Sequence, residues 1–209
     1  MSRISSIIFD LDGTLYRSSE LAAEINRASI DGLALQLGIE PAQAGSRLAA
    51  AREAIASRTG REATLSAGTL ELGADLKALH SYLAGHVEPE QFLHRDERVV
   101  AMLQRLQERF RLYIYTNNNR TLTTRIMRAI GIEGLFAAVY TIEDSWRAKP
   151  DRPALADFFA AIGAEPVACL FVGDRYDVDL RLPEEQGSMV FLTTTVAGLL
   201  TLEEFCNTL

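Results

Sequence analysis

The 209-residue chain has little cysteine, no long apolar run and no excess of positive charge. Its two cysteines, Cys169 and Cys206, lack metal-site spacing and allow one disulfide at most, so we expect a cytoplasmic protein. Apolar runs such as residues 135–140 fall far below the roughly 18 residues that cross a bilayer. The formal net charge is −7, which gives no positive field for phosphate backbones or anionic lipids. We therefore expect neither nucleic acid nor a membrane as a partner.

Five short apolar segments, rich in β-branched and aromatic residues, predict strands that alternate with helical patterns in the second half of the chain. Each of the helical segments between them ends at a glycine. Uninterrupted apolar strands with helices between them predict an α/β fold, a parallel sheet covered on both faces. The predicted strands are residues 4–9, 111–115, 137–142, 168–172 and 189–192, and the predicted helices are residues 121–130, 152–162 and 177–186.

Roughly 100 residues separate the first two predicted strands, where a single helix would be enough. From Ser18 to Leu93 the pattern is helical, with Pro41 at the start of a second helix. The sequence therefore predicts a small all-helical module inserted into the sheet domain. The predicted boundaries are 1–16 and 95–209 for the sheet domain and 17–94 for the helical module.

Polar residues follow the predicted strands at four places. Because ligands of open α/β sheets gather at the carboxyl ends of the strands, we expect these residues to converge at one edge of the sheet. The four groups are Asp10-Leu11-Asp12-Gly13-Thr14, Thr116-Asn117, Lys149-Pro150-Asp151 and Gly173-Asp174.

The two aspartates after the first strand are the basis for the predicted chemistry. Alternation along a strand places Asp10 and Asp12 on the same side, where two carboxylates repel each other and any phosphate. A hard cation with oxygen ligands relieves this repulsion, and Mg²⁺ fits best, with Asp174 as a further ligand. One carboxylate can then attack a phosphoryl group while the other exchanges a proton with the leaving oxygen. The Lys149 amine and Thr116 hydroxyl are expected to bind the phosphoryl oxygens.

In order and position, the four motifs resemble those of the haloacid dehalogenase superfamily over nearly the whole chain. The resemblance implies a Rossmann-like sheet of order 5-4-1-2-3 with a helical cap inserted after the first motif. It also implies a role for each matching residue: Asp10 as nucleophile, Asp12 as general acid and base, Thr116, Asn117 and Lys149 on the substrate phosphate, Asp10, the Asp12 carbonyl and Asp174 on Mg²⁺, and Asp179 as an acid behind these ligands.

Two features refine the resemblance. The dehalogenases of the superfamily lack the second aspartate, because a departing halide needs no proton, so Asp12 favours phosphate chemistry. Leu15-Tyr16, Ser18-Ser19 and the spacing to Thr116 resemble the pyrimidine 5′-nucleotidase branch. One departure from the family pattern is Asn118, where relatives commonly carry glycine. The resemblance therefore does not predict the conformation of this turn.

The sequence thus predicts a Mg²⁺-dependent phosphatase that hydrolyses a small phosphorylated metabolite through an aspartyl phosphate, with nucleoside 5′-monophosphates as the first substrates to test. Two alternatives remain: a phosphomutase on the same core, and a non-enzymatic binding protein that has kept the core. The oligomeric state is open between monomer and homodimer.

Several side chains allow two interpretations from sequence alone. Tyr16 could stack on a flat leaving group or pack at the cap hinge, and Trp146 could line the pocket or anchor its loop. Asp177 and Asp179 begin a predicted helix, where acids are favoured by the helix dipole, and the family spacing favours Asp179 for the site. The arginines of the insertion, Arg47, Arg52 and Arg58, are more typical of solvated helix faces than of a substrate site.

Overall fold

The computed structural model describes residues 4–209, and its centre is a five-stranded parallel sheet. The strand order is β3-β2-β1-β4-β5, and every neighbouring pair is parallel. This order confirms the predicted 5-4-1-2-3 sheet, counted from the opposite edge. The strands are β1 (Ser6–Phe9), β2 (Arg111–Tyr115), β3 (Ala138–Tyr140), β4 (Cys169–Gly173) and β5 (Met189–Leu192).

The three central strands are buried because helices cover both faces of the sheet. In β1, the side chains of Ile7, Ile8 and Phe9 are at most 1% exposed. On one face, Phe158 stacks on Tyr115 with ring centroids 4.8 Å apart. The helices of this part are α5 (Glu97–Gln107), α6 (Arg120–Ala129), α7 (Arg152–Ile162), α8 (Arg181–Glu185), α9 (Val196–Leu200) and α10 (Leu202–Asn207).

The structure divides the chain into two compact units. The helical unit is Ser19–Phe92, and the sheet unit consists of the chain up to Ser18 and from Leu93 onward. The predicted helical insertion is therefore present. Its α-helices are α1 (Ser19–Leu37), α2 (Pro41–Thr59), α3 (Leu65–Glu71) and α4 (Leu76–His86).

Close packing of α1 against α4 depends on a glycine. A Cβ at Gly32 would lie 3.0 Å from the Tyr82 ring and 3.1 Å from Leu79. Asp75 caps the N-terminus of α4 by accepting hydrogen bonds from the backbone N–H groups of Lys77 and Ala78. Within residues 4–209, no helix is both long and apolar enough to span a membrane.

The predicted helix 177–186 is present, but its first half is not an α-helix. Residues Tyr176–Leu180 form a wider π-helical turn, and the α-helix begins only at Arg181. Within this turn Asp179 is buried, and its carboxylate accepts a hydrogen bond from the amine of Lys149 at 2.8 Å. The periodicity of the sequence predicts a helix here, but it does not distinguish a π-helical turn from an α-helix. It also does not reveal the ion pair between Asp179 and the distant Lys149.

His80 on α4 gives the helical unit a pH-dependent stability. The side chain is 4% exposed, and burial lowers its pKa from the usual 6.5 to about 4. Between these values the unfolded chain binds a proton that the folded chain does not. The contribution of His80 to stability is therefore complete above pH 6.5 and decreases as the pH falls towards 4, by up to about 3 kcal/mol.

We expect the substitution His80→Leu to reduce this fall. Urea denaturation at pH 7 and pH 4.5 measures the difference between wild type and variant, which removes the contribution of carboxylates common to both. His86→Gln, on the exposed side of the same helix, is the matched control. An identical pH dependence in wild type and His80→Leu would contradict the assignment.

Candidate active site

The carboxyl ends of the strands bring the sequence-predicted residues together. Asp10 directly follows β1, Thr116 follows β2 and Asp174 follows β4. Because β1 lies between β2 and β4, these three positions are adjacent at one edge of the sheet. Lys149 comes from the loop between β3 and α7 and reaches the same edge, where its Nζ lies 2.7 Å from Asp10 Oδ1.

Lys149 is a buried cation with three protein partners. Its Nζ donates to Asp10 Oδ1 at 2.7 Å, to Asp179 Oδ1 at 2.8 Å and to the Tyr115 carbonyl at 2.7 Å. Burial alone would lower the pKa of Lys149, but the attraction of both carboxylates outweighs it and raises the pKa. The amine therefore remains charged. All three of its N–H groups have protein acceptors, so a direct contact with phosphate, which stays a prediction, requires the exchange of one of them.

Asp10 is held at both of its carboxylate oxygens. Oδ1 accepts from Lys149, and Oδ2 accepts from the Thr14 hydroxyl at 3.2 Å. Burial and the charge of Asp179 raise the pKa of Asp10 to about 7, against the opposing effect of Lys149. One buried lysine thus faces two buried aspartates, which leaves an excess of negative charge among these three side chains.

The carboxylates of Asp10, Asp174 and Asp179 form a cluster in which one oxygen of each lies within 4.8 Å of the others. Asp174 Oδ1 is buried and has no hydrogen-bond partner among the described residues. Burial raises the pKa of Asp174, and Arg175 opposes the rise. An oxygen-only cluster with an unsatisfied buried carboxylate oxygen fits a hard divalent cation.

Gly13 is required for this arrangement of Asp174. Its φ is +92°, in a region that residues with a side chain rarely adopt. A Cβ at this position would lie 2.4 Å from Asp174 Oδ2, so any side chain would push the carboxylate away. In the Asp-x-Asp-Gly pattern, the glycine therefore leaves room for the carboxylate of Asp174 next to this motif.

Arg175 adds a positive charge that the sequence prediction did not include. Its Nε lies 3.7 Å from Asp174 Oδ1 and 4.0 Å from Asp179 Oδ2. Its backbone N–H also donates to Asp179 Oδ2 at 3.2 Å. The position of Arg175 directly after Asp174 was the one signal that could have placed it in the predicted site. An arginine in a loop is more often exposed to solvent, so this signal is weak.

The side chain of Asp12 makes contacts separate from this cluster. It accepts hydrogen bonds from the Tyr16 hydroxyl at 2.5 Å, the Thr116 hydroxyl at 3.3 Å and the Asn118 amide at 3.3 Å. Burial and the charge of Asp12 raise the pKa of Tyr16 well above its usual value, so this hydroxyl stays protonated. The metal ligand predicted at this residue is the backbone carbonyl of Asp12, which leaves its carboxylate available for proton transfer.

The side chain of Asn117 holds the backbone of Lys149. Its amide group donates to the Lys149 carbonyl at 3.0 Å, and its carbonyl accepts from the Lys149 N–H at 2.6 Å. Both ends of the amide side chain are used in this way. The predicted phosphate contact of Asn117 stays a prediction, and of its donor groups the backbone N–H suits it better than the side chain.

Asp177, Arg52 and Arg58 have partners other than the site residues. Asp177 lies 3.5 Å from Arg181 and its side chain is 44% exposed, in contrast to Asp179. In the helical unit, Arg52 pairs with Glu62, and Arg58 with Glu71. These pairs agree with solvated helix faces.

Trp146 adopts a positive φ of 54°, which is rare for a bulky residue and costs about 1–3 kcal/mol. It is half-buried and lies three residues before Lys149. Strain of this kind is concentrated at functional loops. The loop that carries the buried lysine is thus held in an unfavourable conformation by the surrounding fold.

Comparison with known proteins identifies the family. Residues 4–184 match the haloacid dehalogenase-like hydrolases, so the chain belongs to this family. Glyceraldehyde 3-phosphate phosphatase of Methanopyrus kandleri is 26% identical over 184 residues, which cover 85% of this chain and 78% of the relative. Pyrophosphatase PpaX of Bacillus pumilus is 27% identical over 178 residues, which cover 84% and 76%.

The fold is also found among solved structures. The 2-haloacid dehalogenase of Pseudomonas syringae pv. tomato has a TM-score of 0.63 at 21% identity, and the match covers 98% of this chain and 99% of that chain. Together these matches confirm the predicted superfamily, enzyme class and fold class.

Proposed function

We propose that this hydrolase cleaves small phosphomonoesters, with a divalent cation as cofactor, through an aspartyl phosphate on Asp10. The observation that carries the proposal is the position of the buried Asp10 carboxylate. It is hydrogen-bonded to Lys149 and Thr14 and clustered with the carboxylate of Asp174, whose Oδ1 has no hydrogen-bond partner among the described residues. This is the environment of a nucleophile that attacks an anionic centre, because the repulsion is reduced by a fixed cation and by a site for a second one.

The proposed reaction has two chemical steps. In the first, a carboxylate oxygen of Asp10 forms a bond to phosphorus as the ester P–O bond breaks, and protonated Asp12 gives its proton to the leaving oxygen. In the second, Asp12 takes a proton from water as the water oxygen bonds to phosphorus and the bond to Asp10 breaks. Both steps require Asp12 near the reacting oxygen, and Thr116 links it to the end of β2.

Asp10, Asp174 and the backbone carbonyl of Asp12 would hold the cation, which we propose to be Mg²⁺. When bound, it supplies positive charge that offsets the repulsion between the carboxylates and the phosphoryl oxygens. Asp179, whose oxygens accept from Lys149 and from the backbone of Arg175, keeps the amine and the loop in position behind these ligands.

We expect Asp174→Ala to weaken Mg²⁺ binding by at least tenfold. Isothermal titration calorimetry with MgCl₂ measures this without reference to activity. Asp177→Ala, three residues further along the chain and with an exposed carboxylate, is the matched control and should bind Mg²⁺ like wild type. Unchanged affinity in Asp174→Ala would remove this residue from the metal site.

We propose that the helical insertion, residues 17–94 by the predicted boundaries, acts as the cap that selects the substrate. It is inserted directly after the first motif, and the motifs of the sheet unit account for the phosphate chemistry but contain little that distinguishes one leaving group from another. Nucleoside 5′-monophosphates remain our first substrates to test because of the resemblance around Leu15-Tyr16. The proposed stacking role of Tyr16 loses support, since its side chain is 9% exposed and its hydroxyl is bound to Asp12.

A substrate panel tests both levels of the proposal. The ratio kcat/KM is measured with Mg²⁺ for uridine, cytidine and adenosine monophosphates, glyceraldehyde 3-phosphate, phosphoglycolate and pyrophosphate. We expect the pyrimidine nucleotides to lead. A tenfold lead for another ester, about 1.4 kcal/mol in transition-state binding, would reject the nucleotidase and leave the phosphatase. Phosphoryl transfer to a second sugar phosphate without phosphate release would indicate a mutase, and binding without turnover a non-enzymatic protein.

A further inference from the structure

The carboxylate of Asp12 is held by three donors from two parts of the chain. Tyr16 closely follows the first motif, and its hydroxyl donates a hydrogen bond to Asp12 Oδ1 at 2.5 Å. Asn118 lies beyond β2 and directs its amide nitrogen at both carboxylate oxygens, at 3.3 Å each. Thr116, already part of the proposed site, donates to Oδ2. Tyr16 and Asn118 have no role in the chemistry described so far.

The direction of these hydrogen bonds is determined by their neighbours. The carbonyl oxygen of the Asn118 side chain accepts from the Asn119 N–H at 2.9 Å, so its amide nitrogen must face Asp12. The Thr116 hydroxyl oxygen accepts from the Asn118 N–H at 3.1 Å, which directs its own hydrogen towards Asp12. The next residue, Asn119, caps α6 by accepting from the Leu122 N–H at 2.8 Å and anchors the turn.

Tyr16 is fixed as firmly as Asn118. The backbones of Asp12 and Tyr16 are joined by an isolated parallel bridge, and the Tyr16 side chain is buried. A tyrosine hydroxyl on a short, bridged turn loses little conformational freedom when it binds Asp12. The two donors together therefore restrict both oxygens of the carboxylate.

We propose that Tyr16 and Asn118 are positioning residues that hold the Asp12 carboxylate in one place for both of its proton transfers. This inference rests on the proposed function. Asp12 must meet the leaving oxygen in the first step and the attacking water in the second, so an orientation kept between the steps benefits both. Glycine, the residue that relatives commonly carry at this position, has no side-chain donor. Asn118 therefore gives Asp12 a hydrogen bond that glycine could not give.

The expected loss depends on the leaving group. Tyr16→Phe and Asn118→Ala should each slow the phosphorylation step with β-glycerophosphate by about tenfold to a hundredfold, the usual effect of one hydrogen bond to a charged group. The pre-steady-state burst with p-nitrophenyl phosphate should change less than threefold, because p-nitrophenolate leaves without a proton. The KM values should stay within threefold. Tyr113→Phe removes a buried tyrosine hydroxyl from β2 and is the matched control.

A double-mutant cycle tests whether the two residues act through Asp12. In an Asp12→Asn background, adding Tyr16→Phe or Asn118→Ala should cost less than twofold in the residual burst rate, because the group that they position is already lost. Melting curves of all variants establish that each is folded.

The outcomes separate the inference from the function on which it rests. Equal losses for both leaving groups, additive losses with Asp12→Asn, or activity unchanged in both single variants would overturn the positioning role. A rise in KM alone would assign Tyr16 to substrate contact instead. If wild type shows phosphate release that persists in Asp10→Asn, the proposed covalent mechanism fails first, and the positioning proposal fails with it.

Discussion

Asp10→Asn is expected to lower phosphate release by about 10⁴-fold or more, the scale of losing a covalent nucleophile. The amide is nearly isosteric with the carboxylate but cannot form the aspartyl phosphate. Phosphate release with a generic ester and Mg²⁺ measures the loss. Turnover above a small fraction of wild type, with contamination excluded, would show that Asp10 is not the nucleophile.

The same substitution should not destabilise the protein when divalent cations are removed by a chelator. Lys149 is buried between Asp10 and Asp179, so the metal-free site holds one positive and two negative side chains. The asparagine removes the excess negative charge. We therefore expect metal-free Asp10→Asn to match or exceed the wild-type melting temperature.

The difference in stability between wild type and Asp10→Asn should depend on pH, because the pKa of Asp10 is raised in the folded protein. The pKa of Asp10 is raised from 3.8 to about 7 in the folded protein, so the folded state binds the proton more tightly than the unfolded state. The contribution of Asp10 to the stability of metal-free wild type should therefore decrease as the pH rises from about 4 through 7, and Asp10→Asn should lack this decrease. Urea denaturation at pH 5.5 and 8 measures the difference. A variant less stable than wild type at pH 8 would contradict the charge argument.

Lys149→Met is expected to destabilise the protein by about 3–5 kcal/mol, the usual cost of removing one member of a buried ion pair. It leaves the carboxylates of Asp10 and Asp179 without their cation, and the Tyr115 carbonyl without this donor. Turnover should be lost as well, because the nucleophile loses the positive charge that supports it.

Chemical denaturation at neutral pH measures the stability of Lys149→Met. Lys77→Met is the matched control: Lys77 is exposed on α4, and its replacement should change the free energy of unfolding by less than about 0.5 kcal/mol. Combining Lys149→Met with Asp10→Asn should recover part of the loss, since only Asp179 then remains uncompensated. A cost below 1 kcal/mol for Lys149→Met would show that the buried charges are relieved in another way.

The sequence by itself determined the sheet and the edge at which the site lies. Strands buried on both faces need continuous apolar residues, and this requirement is visible in segments such as residues 111–115, whose bounds the structure reproduces. The prediction that Asp10, Thr116 and Asp174 converge follows from strand ends alone, because parallel strands present their carboxyl ends at one edge. These features depend on local pattern and on topology, both of which are written along the chain.

Only the tertiary structure decided which partner each polar side chain has. The amine of Lys149 binds Asp10, which is 139 positions away in sequence. The side-chain amide of Asn118 donates to Asp12, which is 106 positions away. The family spacing favoured Asp179 over Asp177, but only the structure shows that a π-helical turn buries Asp179 and leaves Asp177 on the surface. Hydrogen bonds and ion pairs depend on separations of a few tenths of an ångström and on burial. Those quantities arise only when distant segments pack together, so no local pattern encodes them.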